Sequence, residues 1–207
     1  MIFSYQDEAP VVRVPDTFNI ASHLIDRNLA AGRGNRVAVY EDGRTTTYAQ
    51  LAEMVNRCGN GLRSLGIEAE ERVLMAVPDS AEFLAVFLGA VKIGAVPTPV
   101  NTAARAEDYL YYLRDSDARA FVLHEEIWPQ VEGILAQAPN LAHVLVMPSV
   151  PAQTRAISMT PPHDTRYHWC SLGELCEAAS PQLDAEDRKS TRLNSSHSRA
   201  SRMPSSA

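Results

Sequence analysis

From residue 72 to residue 147, short apolar runs alternate with stretches of helical period. Residues 72–77 (RVLMAV), 119–124 (RAFVLH) and 143–147 (HVLVM) are apolar on nearly every position. Runs of that length without polar alternation predict strands covered on both faces. Between them, residues 83–91 (FLAVFLGAV) predict a helix apolar nearly all round, lying between layers, with Asp79 and Glu82 at its cap and Gly94 at its end. Residues 95–100 (AVPTPV) are extended because Pro97 and Pro99 exclude the helical region before them. Residues 106–114 predict a helix with Tyr109, Leu110 and Leu113 inward, and residues 125–137 a second, with Ile127, Val131, Ile134 and Leu135 inward.

Upstream, Asn19 caps a predicted helix over residues 20–31, with Ile20, Leu24 and Ile25 on one face and Gly32 and Gly34 ending it. Residues 36–41 (RVAVYE) alternate like a half-buried strand. Asp42-Gly43 is a hairpin turn signal, and residues 44–47 return as the partner. Thr47 and Gln50 form a capping box for a helix carrying Leu51, Met54, Val55, Cys58, Leu62 and Leu65 at helical spacing. Downstream, residues 148–168 read as a Pro-rich loop, and Ser171 precedes a short helix over 172–179. Strand–helix alternation implies an α/β fold with a mostly parallel sheet flanked by helices. No internal repeat of fixed period is present.

The 207 residues are 45% hydrophobic and 21% charged, with a net charge of −6. That balance disfavours binding to nucleic acid through phosphates. No run of 18 apolar residues exists to span a bilayer. The opening MIFSYQDEAPVVRVP lacks the basic and apolar regions of a secretory signal. Three cysteines, Cys58, Cys170 and Cys176, make no disulfide framework, so a cytoplasmic chain with free thiols is expected.

Residues 187–207 break the pattern. They hold seven serines, four arginines and one lysine against a single aspartate. The segment carries +4, which leaves −10 on residues 1–186. Such a composition cannot bury enough apolar area to offset its ordering entropy, and disorder is expected. Residues 187–197 (DRKSTRLNSSH) and 201–207 (SRMPSSA) resemble the translation of a common short-read sequencing adapter, with residues 198–200 where a variable index sits. On that reading the tail is artefactual. The organisation is then an irregular segment over 1–17, a domain over 18–186 and a disordered tail over 187–207.

Few residues point to chemistry. No G-x-x-x-x-G-K-[ST] loop is present, and no G-x-G-x-x-G follows a strand. Gly59 and Gly61 lie inside a helix and read as sites of close packing. The spacing of His163, His168, Cys170 and Cys176 matches no common zinc site. Cys58 reads as a small core residue, Tyr109 and Tyr112 as core and rim, and Glu68, Glu70 and Glu71 as a solvated turn. No catalytic, cofactor-binding or metal-binding residue is assigned.

Residues 45–126 nevertheless resemble the N-terminal region of the adenylate-forming acyl-CoA synthetases, and most of all the benzoate–CoA ligase family. The resemblance extends over about residues 16–147. It rests on Phe18-Asn19 through Leu24-Ile25-Asp26-Arg27-Asn28, Thr47-Tyr48 with Leu51, Val55-Asn56-Arg57, Phe87-Leu88-Gly89-Ala90, Gly94-Ala95-Val96-Pro97, Pro99-Val100-Asn101-Thr102 and Asp108-Tyr109. Arg105 departs from the family at a helix start, where a better cap is usual.

The resemblance implies a partial N-terminal domain of an adenylate-forming enzyme. It implies ATP-dependent activation of a carboxylic acid, benzoate-like, to an acyl-adenylate, followed by thioester formation with CoA. ATP, Mg²⁺ and CoA are thus implied for a full-length parent and none for this chain. The family's Ser/Thr/Gly phosphate loop and C-terminal lysine lie downstream of residue 186, and the lysines here are Lys92, mid-helix, and Lys189, in the tail. A fragment without ligase activity is therefore expected. Two alternatives stand beside it: a non-catalytic α/β module binding an acyl group or a protein, and a nucleic-acid-associated protein using the Ser/Arg tail, which the acidic body disfavours.

Overall fold

The structure, a computed structural model, describes residues 15–148 and 166–186. The residues before Pro15, residues 149–165 with His163, and those from Asp187 lie outside the described residues.

The first described helices are α1 (Ile20–Leu24) and α2 (Asp26–Ala30). A single helix over 20–31 is corrected: the chain breaks at Ile25, with ψ near −64° but φ at −103°. The break turns Ile25 into the core and leaves Leu24 46% exposed, so Leu24 is not an inward residue. Asn19 caps as expected, its Oδ1 accepting from the Ala21 and Ser22 N–H groups. Its Nδ2 also donates to the carbonyls of Val91 and Glu186.

β1 (Val37–Glu41) and β2 (Arg44–Thr47) form an antiparallel hairpin, with Asp42 and Gly43 at φ of 43° and 77°. Two positive φ values in succession are what an Asp-Gly two-residue turn supplies. The capping box forms at the start of α3 (Tyr48–Ser64), where Thr47 Oγ1 accepts from Gln50 N–H and Gln50 Oε1 from Thr47 N–H.

β3 (Arg72–Ala76) leads into α4 (Ala81–Lys92). The cap is Ser80 rather than Asp79: Ser80 Oγ accepts from Phe83 N–H at 3.0 Å. As expected, α4 lies between layers, and none of its residues is exposed. β4 (Val96–Pro99), α5 (Ala106–Asp115) and β5 (Ala120–His124) follow. At the start of α5, Arg105 gives no side-chain cap. Asp108 Oδ2 instead accepts from the Arg105 N–H at 3.1 Å.

The helix expected over 125–137 is corrected to three pieces: a 3₁₀ turn (Glu125–Ile127), α6 (Trp128–Val131) and a second 3₁₀ turn (Leu135–Gln137). Pro129 lacks an N–H and Gly133 lacks propensity, so no continuous ladder spans the stretch. Ile127, Val131 and Leu135 still point inward.

β6 (His143–Met147) is followed by β7 (His168–Ser171) and α7 (Leu172–Ala178), capped by Ser171. β7 corrects the loop assignment at residue 168. It pairs parallel to β6, Val144 opposite Trp169 and Leu145 opposite Cys170.

The larger sheet is parallel throughout, in the order β4-β3-β5-β6-β7. Alternate residues of its central strands feed two cores. Val73, Met75, Val122 and Leu145 pack under α3, α4 and α7, and Leu74, Phe121, Leu123 and Val144 under α5 and α6. Both faces are covered, which is why these strands are apolar throughout. Tyr109 is fully buried in the second core, and its hydroxyl donates to the carbonyls of Asn101 and Thr102. Among the described residues no helix is long and apolar enough to cross a membrane.

At the amino ends of β6 and β7 the rings of His143 and His168 meet edge-on, 6.0 Å apart. His143 Nδ1 is buried without a hydrogen-bond partner among the described residues. Burial chiefly, then His168 and Arg119, hold the His143 imidazole below its usual pKa, while the Leu65 backbone and Glu71 pull it up. The unfolded chain therefore takes this proton more readily. The stabilisation is complete above about pH 6.5 and is lost as pH falls through that value towards the lowered folded one. Urea midpoints at about pH 7.5 and about pH 5.5 should show a loss that His143→Gln reduces. An identical loss in the variant would remove His143 as its source.

Candidate binding cleft

The sheet order reverses around β3. The chain passes from β3 to β4 on one side and then crosses to β5 on the other. In open parallel sheets the carboxyl ends of strands flanking such a switch point carry the binding crevice. A cleft of about 360 Å³ lies there, next to Pro78 after β3, His124 at the end of β5 and Met147 at the end of β6. α3 supplies Met54, Arg57 and Cys58 to its wall, and α7 supplies Leu172, Cys176 and Glu177.

Several polar groups of this cleft are engaged within the chain. Glu41 Oε2 accepts from the Ala81 N–H at 3.0 Å, and Glu41 Oε1 meets the Arg44 guanidinium at 3.1 Å. Arg57 pairs with Glu53 at 2.9 Å and donates to the carbonyls of Glu177 and Ala179. His124 Nδ1 lies 3.7 Å from Glu126.

Cys58 Sγ and Cys176 Sγ are 3.0 Å apart. The hydrogen bond with Cys176, then burial, push the Cys58 thiol well up. Burial chiefly pushes Cys170 up to about 11. Neither is a ready thiolate nucleophile at neutral pH.

A triphosphate with Mg²⁺ does not fit these residues. The first turn of α4, which could face a phosphate, already holds the Glu41 carboxylate. Glu82 and Glu177 add negative charge to the wall. Both wall arginines are paired. Lys92 is no reserve cation either: it ends α4 rather than standing mid-helix, and its Nζ contacts Asp26 and Asn56 Oδ1, each at 2.8 Å. Lys189 lies outside the described residues. What the cleft presents is an apolar lining from Met54, Ala85, Met147 and Leu172.

Gly59 faces Gly89 across the α3–α4 contact, and Gly61 faces Leu175. His168 and Cys170 lie on β7, and among the described residues no group of three His, Cys, Asp or Glu side chains could hold a metal ion. Cys58 is 6% exposed, as a core residue should be. Tyr112 is half-buried and Tyr111 exposed. Glu71 bridges to Arg119 at 3.3 Å and accepts from the Glu68 N–H.

Sequence reasoning missed a polar row on α3. Asn56 donates to Pro181 O, Arg57 to Ala179 O, and Asn60 to Ser180 O and Gln182 O. These bonds strap the segment after α7 to the helix. The signal was available as three polar residues, NR and N, on one side of an otherwise amphipathic helix.

Comparison with known proteins follows the same lines. The model of the family described as AMP-binding enzyme matches residues 26–188. The chain is 40% identical over 146 residues to a benzoate–CoA ligase of Thauera aromatica, covering 70% of this chain and 28% of that protein. It is 35% identical over 137 residues to a 4-hydroxybenzoate–CoA/benzoate–CoA ligase of Rhodopseudomonas palustris, covering 66% and 25%. Among solved structures, an anthranilate CoA ligase in complex with anthranoyl-AMP matches with a TM-score of 0.72 at 30% identity, over 85% of this chain and 31% of that one. A benzoate CoA ligase from Burkholderia xenovorans matches with a TM-score of 0.64 at 30% identity, over 81% and 30%. The chain thus spans under a third of the length of each of these relatives.

Proposed function

The chain belongs to the AMP-binding enzyme family, and on that premise we propose that it is the N-terminal part of an aryl-CoA ligase whose acid is benzoate-like. The parent activates the carboxylate with ATP and Mg²⁺ and transfers the acyl group to the thiol of CoA, in the cytoplasm. Residues 18–186 are the opening part of its AMP-binding domain, and residues 187–207 contribute nothing to it. The observation that carries the reading is the 40% identity to a benzoate–CoA ligase across 146 residues.

The family-like phrases support it through their physical roles. Asn19 ties α1 to the end of α4, Asn56 and Arg57 strap the segment after α7, and Gly89 permits close helix packing. These roles belong to scaffolding. The poor fit of the described residues to a nucleotide triphosphate supports the reading that the chain alone lacks ligase activity.

Two measurements test this. Labelled ATP–pyrophosphate exchange with benzoate should stay at background for the 207-residue chain, and robust exchange would refute inactivity. Genomic DNA read past codon 186 should continue in frame into a Ser/Thr/Gly-rich phosphate loop. A stop codon there would overturn the ligase reading and leave an acyl- or protein-binding module.

A further inference from the structure

We infer that Cys58 and Cys176 form a thiol–disulfide exchange site, which a small disulfide of the oxidised-glutathione class converts to an intramolecular disulfide locking α7 to α3. The inference rests on geometry and is independent of the ligase reading. The two sulfurs are 3.0 Å apart, although their residues are separated by 118 positions. A disulfide bond is about 2.05 Å long, so closure asks for a shift of roughly 1 Å. The elements that must move are already held together by the Arg57 and Asn60 bonds to the chain after α7. Both thiols line the cleft of about 360 Å³, and Cys176 there is only half-buried.

The order of events follows from exposure. Cys58 is buried and its thiol is pushed up, whereas Cys176 is only half-buried. Cys176 therefore meets the reagent first. Its thiolate attacks one sulfur of oxidised glutathione, forming a mixed disulfide and expelling one glutathione thiolate. Cys58 then gives up its proton to solvent and attacks Cys176 Sγ. The mixed disulfide breaks and the second glutathione leaves. Two protein thiols are oxidised to one disulfide, and one oxidised glutathione is reduced to two glutathione molecules. Cys58, not Cys170, is the second sulfur because it already stands in contact with Cys176 Sγ at 3.0 Å.

The closed bond would span most of the chain, so it should raise the melting temperature by about 10 °C, reversibly with dithiothreitol. The test treats the full 207-residue chain with oxidised glutathione and maps peptides by mass spectrometry without reduction. The expected product lacks two hydrogens and links the peptides of Cys58 and Cys176. Cys170→Ser should form it equally well, and Cys176→Ser should not form it. A cross-link through Cys170, a lasting glutathione adduct on Cys176, or three free thiols would each overturn the proposal. Mapping the unsubstituted chain separates these outcomes even if a variant fails to fold.

Discussion

Gly89→Ala should destabilise the protein by about 2 kcal/mol, although the substitution favours a helix. In an open helix the change would gain up to about 1 kcal/mol. Here a Cβ on Gly89 would stand 2.8 Å from both Gly59 N and Val55 O, and 3.1 Å from Cys58 Cβ. The first two are backbone atoms of α3, so no side chain can rotate aside. The helices must separate, which loosens Val55, Leu62 and Val86 in the cores on either side. Overpacking of this kind costs roughly 1–3 kcal/mol, and with rigid neighbours the upper end applies. A net loss of about 2 kcal/mol lowers the melting temperature of a chain this size by roughly 4–8 °C. Gly133→Ala is the control: nothing lies within 4 Å of its Cβ position, and its melting should change little. A Gly89→Ala protein that melts at or above the parent temperature would sink the close-packing account.

The features legible in the sequence are those whose cause is local or doubly covered. The strands β3, β5 and β6 stand out because both faces of the sheet are buried, and an unbroken apolar run is the direct consequence. The Asp42-Gly43 turn and the Thr47–Gln50 box are written within four residues each. β7 is not legible in that way. Its sequence HWCS carries no aliphatic residue, and its strand state comes from the edge that β6 offers, with His168 N–H donating to Ala142 O at 2.7 Å. Tertiary context overrides propensity there.

Leu24 escapes sequence reasoning because a continuous helix and a broken one share the same periodicity up to the break. The cleft itself is invisible in the sequence, since its walls come from α3, α7 and the ends of three strands. The contact between Cys58 and Cys176 shows this most sharply: spacing along the chain says nothing about a pair brought together by packing. Lys92 shows the limit for charge. Its position at the end of α4 suits the helix dipole, but its partners come from α2 and α3.

That lysine gives the second large effect, and its sign runs against simple intuition. Asp26→Ala should cost more than Lys92→Met. The Lys92 side chain is 2% exposed and the Asp26 side chain 39%. Removing Asp26 leaves a buried ammonium with, among the described residues, Asn56 Oδ1 alone as partner. An uncompensated buried charge costs about 3–5 kcal/mol, reduced here to roughly 2–3 kcal/mol because water reaches the aspartate side of the pair. Removing the lysine charge instead leaves Asp26 with its bond from Ser22 Oγ and with solvent, while methionine refills most of the stem volume. The loss should be about 1 kcal/mol. The double variant should regain most of what Asp26→Ala loses, because the stranded charge is gone. Urea denaturation of the three variants measures the differences directly. If Lys92→Met proves the more damaging single change, the buried ammonium is not the controlling charge. The pair would then act through packing of the lysine stem between α2, α3 and α4.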